Sequence, residues 1–164
     1  MIYVPHTNLK KETKEALDQT GFEWTPVDVS NSETDYWNFL NDLWDQKKTF
    51  VVVEHDIVAN KAAIESILEC PHPWCAASYP YFTGEYAGLG CTKFEGWFLE
   101  QYPGAFKETA EMEDMDHPKK HWCRIDQWLW VVLNGKGFNR HIHWNVGVNH
   151  IHSNGPSHGC LVRG

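Results

Sequence analysis

The run Phe50-Val51-Val52-Val53, followed at once by Glu54-His55-Asp56, constrains this chain more than any other segment. Four consecutive apolar residues, three of them β-branched, fit a strand buried on both faces, the kind found inside an α/β sheet. The run ends on two carboxylates spaced i, i+2, which point the same way along an extended backbone. Open α/β sheets bind ligands just beyond the carboxyl ends of their strands. Two like charges placed there repel unless a cation or a shared proton separates them. A hard divalent ion with oxygen ligands satisfies both acids and can bridge phosphate oxygens. It would neutralise charge building up on a departing diphosphate. The purely structural alternative is a helix-capping Asp beside a solvated Glu.

The segments around this run alternate strand and helix. Ile2–Val4 reads as a short strand stopped by Pro5, and Lys10–Gln19 as a polar helix closed by Gly21. Phe22–Val29 reads as a second strand, and Pro26 inside it predicts an edge position or a break. Ser32 with Asp35 three residues on resembles a capping box. Tyr36, Trp37, Leu40, Leu43 and Trp44 then recur at helical spacing. Asn60 caps a helix over 61–69 that ends at Cys70-Pro71. This β-α-β-α-β-α order predicts an α/β fold with a parallel sheet and right-handed crossovers. Beyond it, 74–81 and 91–94 read as strands, 83–90 as a Gly-rich loop, and 96–102 as a brief helix. The charged stretch 107–120 reads as an exposed loop or helix, 126–133 as an amphipathic helix, and 141–152 as mostly extended.

At 164 residues the chain reads as a single domain, 1–164, without repeats or linkers. The regular alternation over about 1–70 suits a compact nucleotide-binding half, and about 71–164 follows a different pattern. The formal net charge of −8 disfavours nucleic-acid backbone binding, which needs a basic face. Five Cys without CxxC spacing suggest reduced thiols in a cytosolic protein. The opening Ile2-Tyr3-Val4 has no leader-like n-region, and no apolar stretch reaches membrane-spanning length. A soluble, cytoplasmic protein is expected. Nine Trp is a high count; core packing is expected to absorb most of them, and Trp97, Trp122 and Trp128 are alternatives for stacking on a base or sugar.

Two histidine pairs follow late in the chain: His141-Ile142-His143 and His150-Ile151-His152. Each presents two imidazoles on one strand face, and imidazole is a good zinc ligand. Residues 143 and 150 differ in parity, so only a turn near 145–147 could gather all four rings. One His joining Glu54 and Asp56 demands less, and His150, after Val146-Gly147-Val148, is the preferred one. Asp126 opens a helix, where an acid is favourable to the helix dipole; it is also placed to act as a general base. The loop 84–90 lacks the strand-turn-helix context of a phosphate-binding loop.

Taken in order, these segments resemble the nucleotide-sugar-dependent glycosyltransferases of GT-A fold. Val53-Glu54-His55-Asp56-Ile57 is similar to their Asp-x-Asp motif in a Glu-His-Asp variant. Arg124-Ile125-Asp126-Gln127 is similar to the segment carrying their catalytic base. Val148-Asn149-His150-Ile151-His152 is similar to their late metal-binding histidine. The resemblance implies a Rossmann-like three-layer sandwich with a mostly parallel central sheet, and transfer of a sugar from a nucleoside-diphosphate sugar to a small-molecule or glycan acceptor. By position, Pro5, His6 and Thr7 would border the nucleotide, and Asp28 its base or ribose. Glu54, His55 and Asp56 would meet the ribose and diphosphate. The metal, Mn2+ or Mg2+, would fall to Asp56 and His150, with Glu54 and His152 as further candidates. Asp126 would be the base of an inverting transfer. The chain is much shorter than most such enzymes, so its acceptor half is either minimal or completed by a second copy in a homo-oligomer. Small viral and bacterial members of the family suit that length.

Two other readings use the same residues. One is a nucleotidyltransferase or metal-dependent phosphohydrolase; only Lys10-Lys11 stands where a nucleotidyltransferase would carry a basic Gly-rich loop. The other is a non-catalytic module holding zinc on the histidine pairs.

Overall fold

The apolar run forms strand β3 (Phe50–Val53), every residue of it buried. It lies third in a six-stranded sheet of order β2-β1-β3-β8-β5-β9. The other members are β1 (Ile2–His6), β2 (Trp24–Asp28), β5 (Trp74–Ala77), β8 (Cys91–Phe94) and β9 (His141–His143). The computed structural model describes residues 1–81, 84–112 and 117–151. β1 pairs in parallel with both β2 and β3, and β5 with β9; β8 runs antiparallel between β3 and β5. One reversed strand thus interrupts an otherwise parallel sheet. Pro26 sits in β2, the edge strand, where a missing N–H costs no ladder bond.

Alternation along β3 builds a core on each face. Phe50 and Val52 join the helices α2 (Asp35–Gln46), α4 (Gly96–Gln101), α5 (Ala105–Glu108) and α6 (Ile125–Gly135). Val51 and Val53 join α1 (Lys11–Thr20) and α3 (Lys61–Glu69). The result is three layers, helices on both faces of the sheet. On the first face Trp44 is fully buried among Phe94, Phe98 and Phe106, and its indole N–H donates to the Tyr102 carbonyl at 3.0 Å. Trp44→Ala should therefore cost about 3–5 kcal/mol, measurable by urea denaturation.

Several elements depart from the sequence expectation. The segment 74–81 is two strands: after β5 the chain leaves the sheet at Ser78 and continues as β6 (Tyr79–Tyr81). Ser78 makes the break, its N–H donating to His143 O at 2.9 Å and its Oγ accepting from Asn145 N–H at 3.4 Å. β6 pairs with β7 (Gly84–Tyr86), so the Gly-rich segment is partly strand. A short strand β4 (Ile57–Ala59), not foreseen, pairs antiparallel with β10 (Val148–His150). Trp is less buried than expected: Trp37, Trp44, Trp74 and Trp128 are buried, but Trp97, Trp122, Trp130 and Trp144 are exposed. Cys70, Cys75 and Cys91 are buried free thiols, whereas Cys123 is disulfide-bonded, against the expectation of reduced cysteines throughout. No helix among the described residues is long and apolar enough to cross a membrane.

Candidate active site

From β1 the chain first crosses to β2 on one side and later to β3 on the other. The crevice beyond the carboxyl ends of β1 and β3 is therefore a switch point, where open α/β sheets bind ligands. A cleft of about 700 Å³ opens there, within the usual size of small-molecule sites. Its floor is Pro5 near the end of β1 and Thr7 just after it, Val29 to Ser32 after β2, and Glu54, His55 and Asp56 after β3. Asp126 and Gln127 enter from α6, Tyr79, Tyr81 and Tyr86 from the β6–β7 hairpin, and His150 from β10.

The β4–β10 ribbon explains how His150 reaches Asp56, ninety-odd residues earlier in the chain. His150 pairs with Ile57, and the Ile151 N–H donates to the Asp56 carbonyl at 2.8 Å. His150 Nε2 then lies 3.3 Å from Asp56 Oδ2. Tyr79 stacks on the His150 ring at 5.6 Å and Tyr81 meets it edge-on at 5.4 Å. Burial pushes the Asp56 carboxyl up, but its hydrogen bond with His150 and the charges of His55 and His150 outweigh this, holding it below the usual carboxylate range.

The turn before β10 depends on one glycine. Gly147 has φ +83°, and a Cβ there would come 2.2 Å from the Asn60 amide nitrogen. Asn60 in turn caps α3, accepting from the Ala63 N–H at 2.9 Å. Gly147→Ala should lower stability by about 1–2 kcal/mol for the left-handed backbone and about 1 kcal/mol more through the disturbed cap. Chemical denaturation would read both.

Glu54 behaves differently from Asp56. The Tyr36 hydroxyl donates to Glu54 Oε1 at 2.8 Å. Burial, then the Asp56 charge, raise the Glu54 carboxyl to about 8. Two neighbouring acids whose proton affinities are pushed apart is the expected outcome of like charges sharing a site. Between pH 4.5 and 8 folded Glu54 keeps a proton that the unfolded chain has released, so its contribution to stability falls as pH rises through that window. In chelator-treated protein at pH 9, Glu54→Gln should therefore be more stable than wild type, by up to roughly 5 kcal/mol. At pH 4.5 the two should melt together.

Asp126 sits in the first turn of α6, its Oδ1 accepting from the Gln127 N–H at 2.8 Å. The Tyr86 hydroxyl donates to Oδ2. Gly88 permits this approach, since a Cβ there would stand 2.6 Å from the Tyr86 ring and 2.9 Å from Asp126 Oδ2. Burial raises the Asp126 carboxyl to about 6, opposed by its backbone hydrogen bond and by Arg140.

Of the sequence candidates, the cleft gathers Pro5, Thr7, Glu54, His55, Asp56, Asp126 and His150. His6 and Asp28 are register partners at the ends of β1 and β2 but do not line it; Asp28 accepts instead from the Ser30 N–H at 2.9 Å. His152 lies outside the described residues. Glu54 does not join Asp56 and His150 in a close three-ligand group. His141 and His143 belong to a different sheet from His150. The sequence reading missed Tyr36, Tyr79, Tyr81 and Tyr86, and Arg140 near Asp126. For Tyr79 and Tyr81 the i, i+2 spacing before a Gly-rich stretch was the available signal; Arg140 offered none beyond its place before His141.

The sheet order and the switch-point cleft define a Rossmann-type α/β fold. Among the solved structures that this chain resembles in fold are the following two. One is A197 from STIV, 12% identical, with a TM-score of 0.61 over 93% of this chain and 85% of that one. The other is a glycosyltransferase involved in the glycosylation of the major capsid of PBCV-1, 13% identical, with a TM-score of 0.57 over 93% of this chain and 94% of that one. No family model and no curated protein matches the chain.

Proposed function

We propose that the chain is a divalent-metal-dependent glycosyltransferase using a nucleoside-diphosphate sugar. The observation that carries this reading is the convergence of Asp126 with the Asp56–His150 pair on one switch-point cleft. The likeness of the fold to a glycosyltransferase supports it.

The donor set fits a manganese-like or magnesium-like ion. Asp56 is an ionised carboxylate, and His150 Nε2, 3.3 Å from Oδ2, adds an imidazole that favours manganese over magnesium. Asp56 and His150 would hold the ion, leaving its other positions to the substrate and solvent. When bound, it supplies positive charge against the diphosphate. The nucleoside would lie along Pro5, Thr7 and the segment after β2. The tyrosines of the hairpin provide flat faces for sugar or base.

In the transfer step the acceptor hydroxyl oxygen forms a bond to the anomeric carbon. The bond from that carbon to the diphosphate breaks, and its electron pair leaves with the diphosphate. Asp126 takes the hydroxyl proton. A carboxylate titrating near 6 is ionised at pH 7 yet basic enough for this role. With Asp126 on the far side of the anomeric carbon from the diphosphate, the transfer inverts. The acceptor is a small molecule or glycan, and a second copy of the chain would complete its site if the β6–β7 side does not suffice.

Isothermal titration with UDP, GDP, CDP and TDP, with and without manganese, tests the reading. One diphosphate should bind, and only with the metal. Absence of binding to all four in manganese would refute it.

A further inference from the structure

A second cluster of metal-ligand side chains lies away from the cleft, at the β9 edge of the sheet. β9 pairs in parallel with β5, placing His141 beside Cys75 and His143 beside Ala77. These four side chains share the sheet face that α3 covers. α3 ends at Cys70, a buried free thiol whose backbone turns from helical to extended there. The Cys70 sulfur and one ring nitrogen of each of His141 and His143 all lie within 4.8 Å of one another.

Three further observations point to a ligand. His143 Nε2 is buried and has no hydrogen-bond partner, and an orphaned buried nitrogen carries a desolvation cost unless something occupies it. The two rings are nearly perpendicular, at 88° and 4.9 Å between centroids, so they do not stack on each other. His72 stacks on His141 at 4.0 Å and 12°, restricting that ring. The neighbouring sulfur of Cys75 donates to the Ile67 carbonyl at 3.7 Å, and burial first, then its hydrogen-bonding contact with Cys70, keep it a thiol. The Lys93 ammonium behind Cys70 is neutralised by Glu95 at 2.7 Å and bonds to the Leu68 and Cys70 carbonyls.

We propose that Cys70, His141 and His143 form a thiolate–imidazole site for one zinc-class divalent ion. One soft sulfur with two imidazoles selects zinc over the oxygen-preferring manganese and magnesium. Binding forms one metal–sulfur and two metal–nitrogen bonds and releases the Cys70 thiol proton to solvent. The ion ties β9, a three-residue edge strand, to the end of α3. It leaves a fourth tetrahedral position to solvent. The site is independent of the proposed transferase reaction. The other thiol–imidazole group among the described residues, His117, His121 and Cys123, has its sulfur in a disulfide and offers no thiolate.

The test uses the full chain, stripped with chelator and freed of any histidine tag. In D56A, which lacks the carboxylate of the cleft, titration with zinc should saturate at one equivalent and raise the melting temperature. Cobalt in its place should give a thiolate-to-metal charge-transfer band in the near ultraviolet. C70S should abolish that band, and H143Q should weaken zinc binding at least 10-fold. D56A and H150A should retain both band and affinity, which separates this site from the cleft. The proposal is overturned if wild type shows no cobalt–sulfur band. It is equally overturned if band or zinc affinity survives in both C70S and H143Q. The wild-type titration decides the matter even if C70S fails to fold.

Discussion

Asp126→Asn should leave nucleoside-diphosphate affinity unchanged and lower the rate of sugar transfer by a factor of about 10²–10⁴, the usual share of a general base. The amide keeps the shape of the side chain and can still meet Tyr86, but it cannot take a proton from the acceptor. The wild-type rate should rise with pH through about 6 and then level, because only the ionised carboxylate is a base. Tyr86→Phe should move that rise to higher pH. The Tyr86 hydroxyl donates to Asp126, and removing a donor to the charged form raises the proton affinity of a carboxylate. Steady-state rates across pH 5 to 9 would check the three enzymes together. The same substitution carries a stability signature. Folded Asp126 retains a proton between pH 3.8 and about 6 that the unfolded chain has lost, so wild-type stability falls across that window and that of Asp126→Asn should not.

Asp56→Ala should remove metal-dependent nucleotide binding, with an affinity loss on the order of 10²-fold or more. Even a supporting residue around a metal typically accounts for 10–100-fold. The truncation also strips His150 of the carboxylate 3.3 Å away. Glu54→Gln should cost less than 10-fold, because Glu54 is hydrogen-bonded to Tyr36 and does not close a three-ligand group with Asp56 and His150. Manganese-dependent calorimetry on the two variants separates their roles. Equal losses would restore Glu54 to the ligand set.

The central run and the first three βα units were legible because each relies on local rules: β-branched burial, helical spacing, Asn60 as a cap and Gly21 as a stop. The β1–β3 side of the cleft followed from them, since the chain ends of β1 and β3 are fixed by the sheet. The tyrosine wall was not legible. It depends on Ser78 breaking one apparent strand into two, a decision made by tertiary hydrogen bonds to His143 and Asn145. β4 was hidden for a similar reason. Ile57-Val58-Ala59 is too short to declare itself, and its partner β10 lies some ninety residues downstream. His150 was chosen from four histidines by its apolar approach, and the β4–β10 ribbon supplies the reason it meets Asp56. The outward Trp residues mark the opposite limit, because composition counts aromatic rings without saying which face the water.

The most direct test of the account is the product released from nucleotide sugars by the wild-type protein in manganese with a panel of glycan and small-molecule acceptors. Release of a nucleoside diphosphate from one donor, matched by sugar on the acceptor and lost in D126N, is the predicted result. Release of pyrophosphate or inorganic phosphate instead, or of no product from any donor, would contradict it.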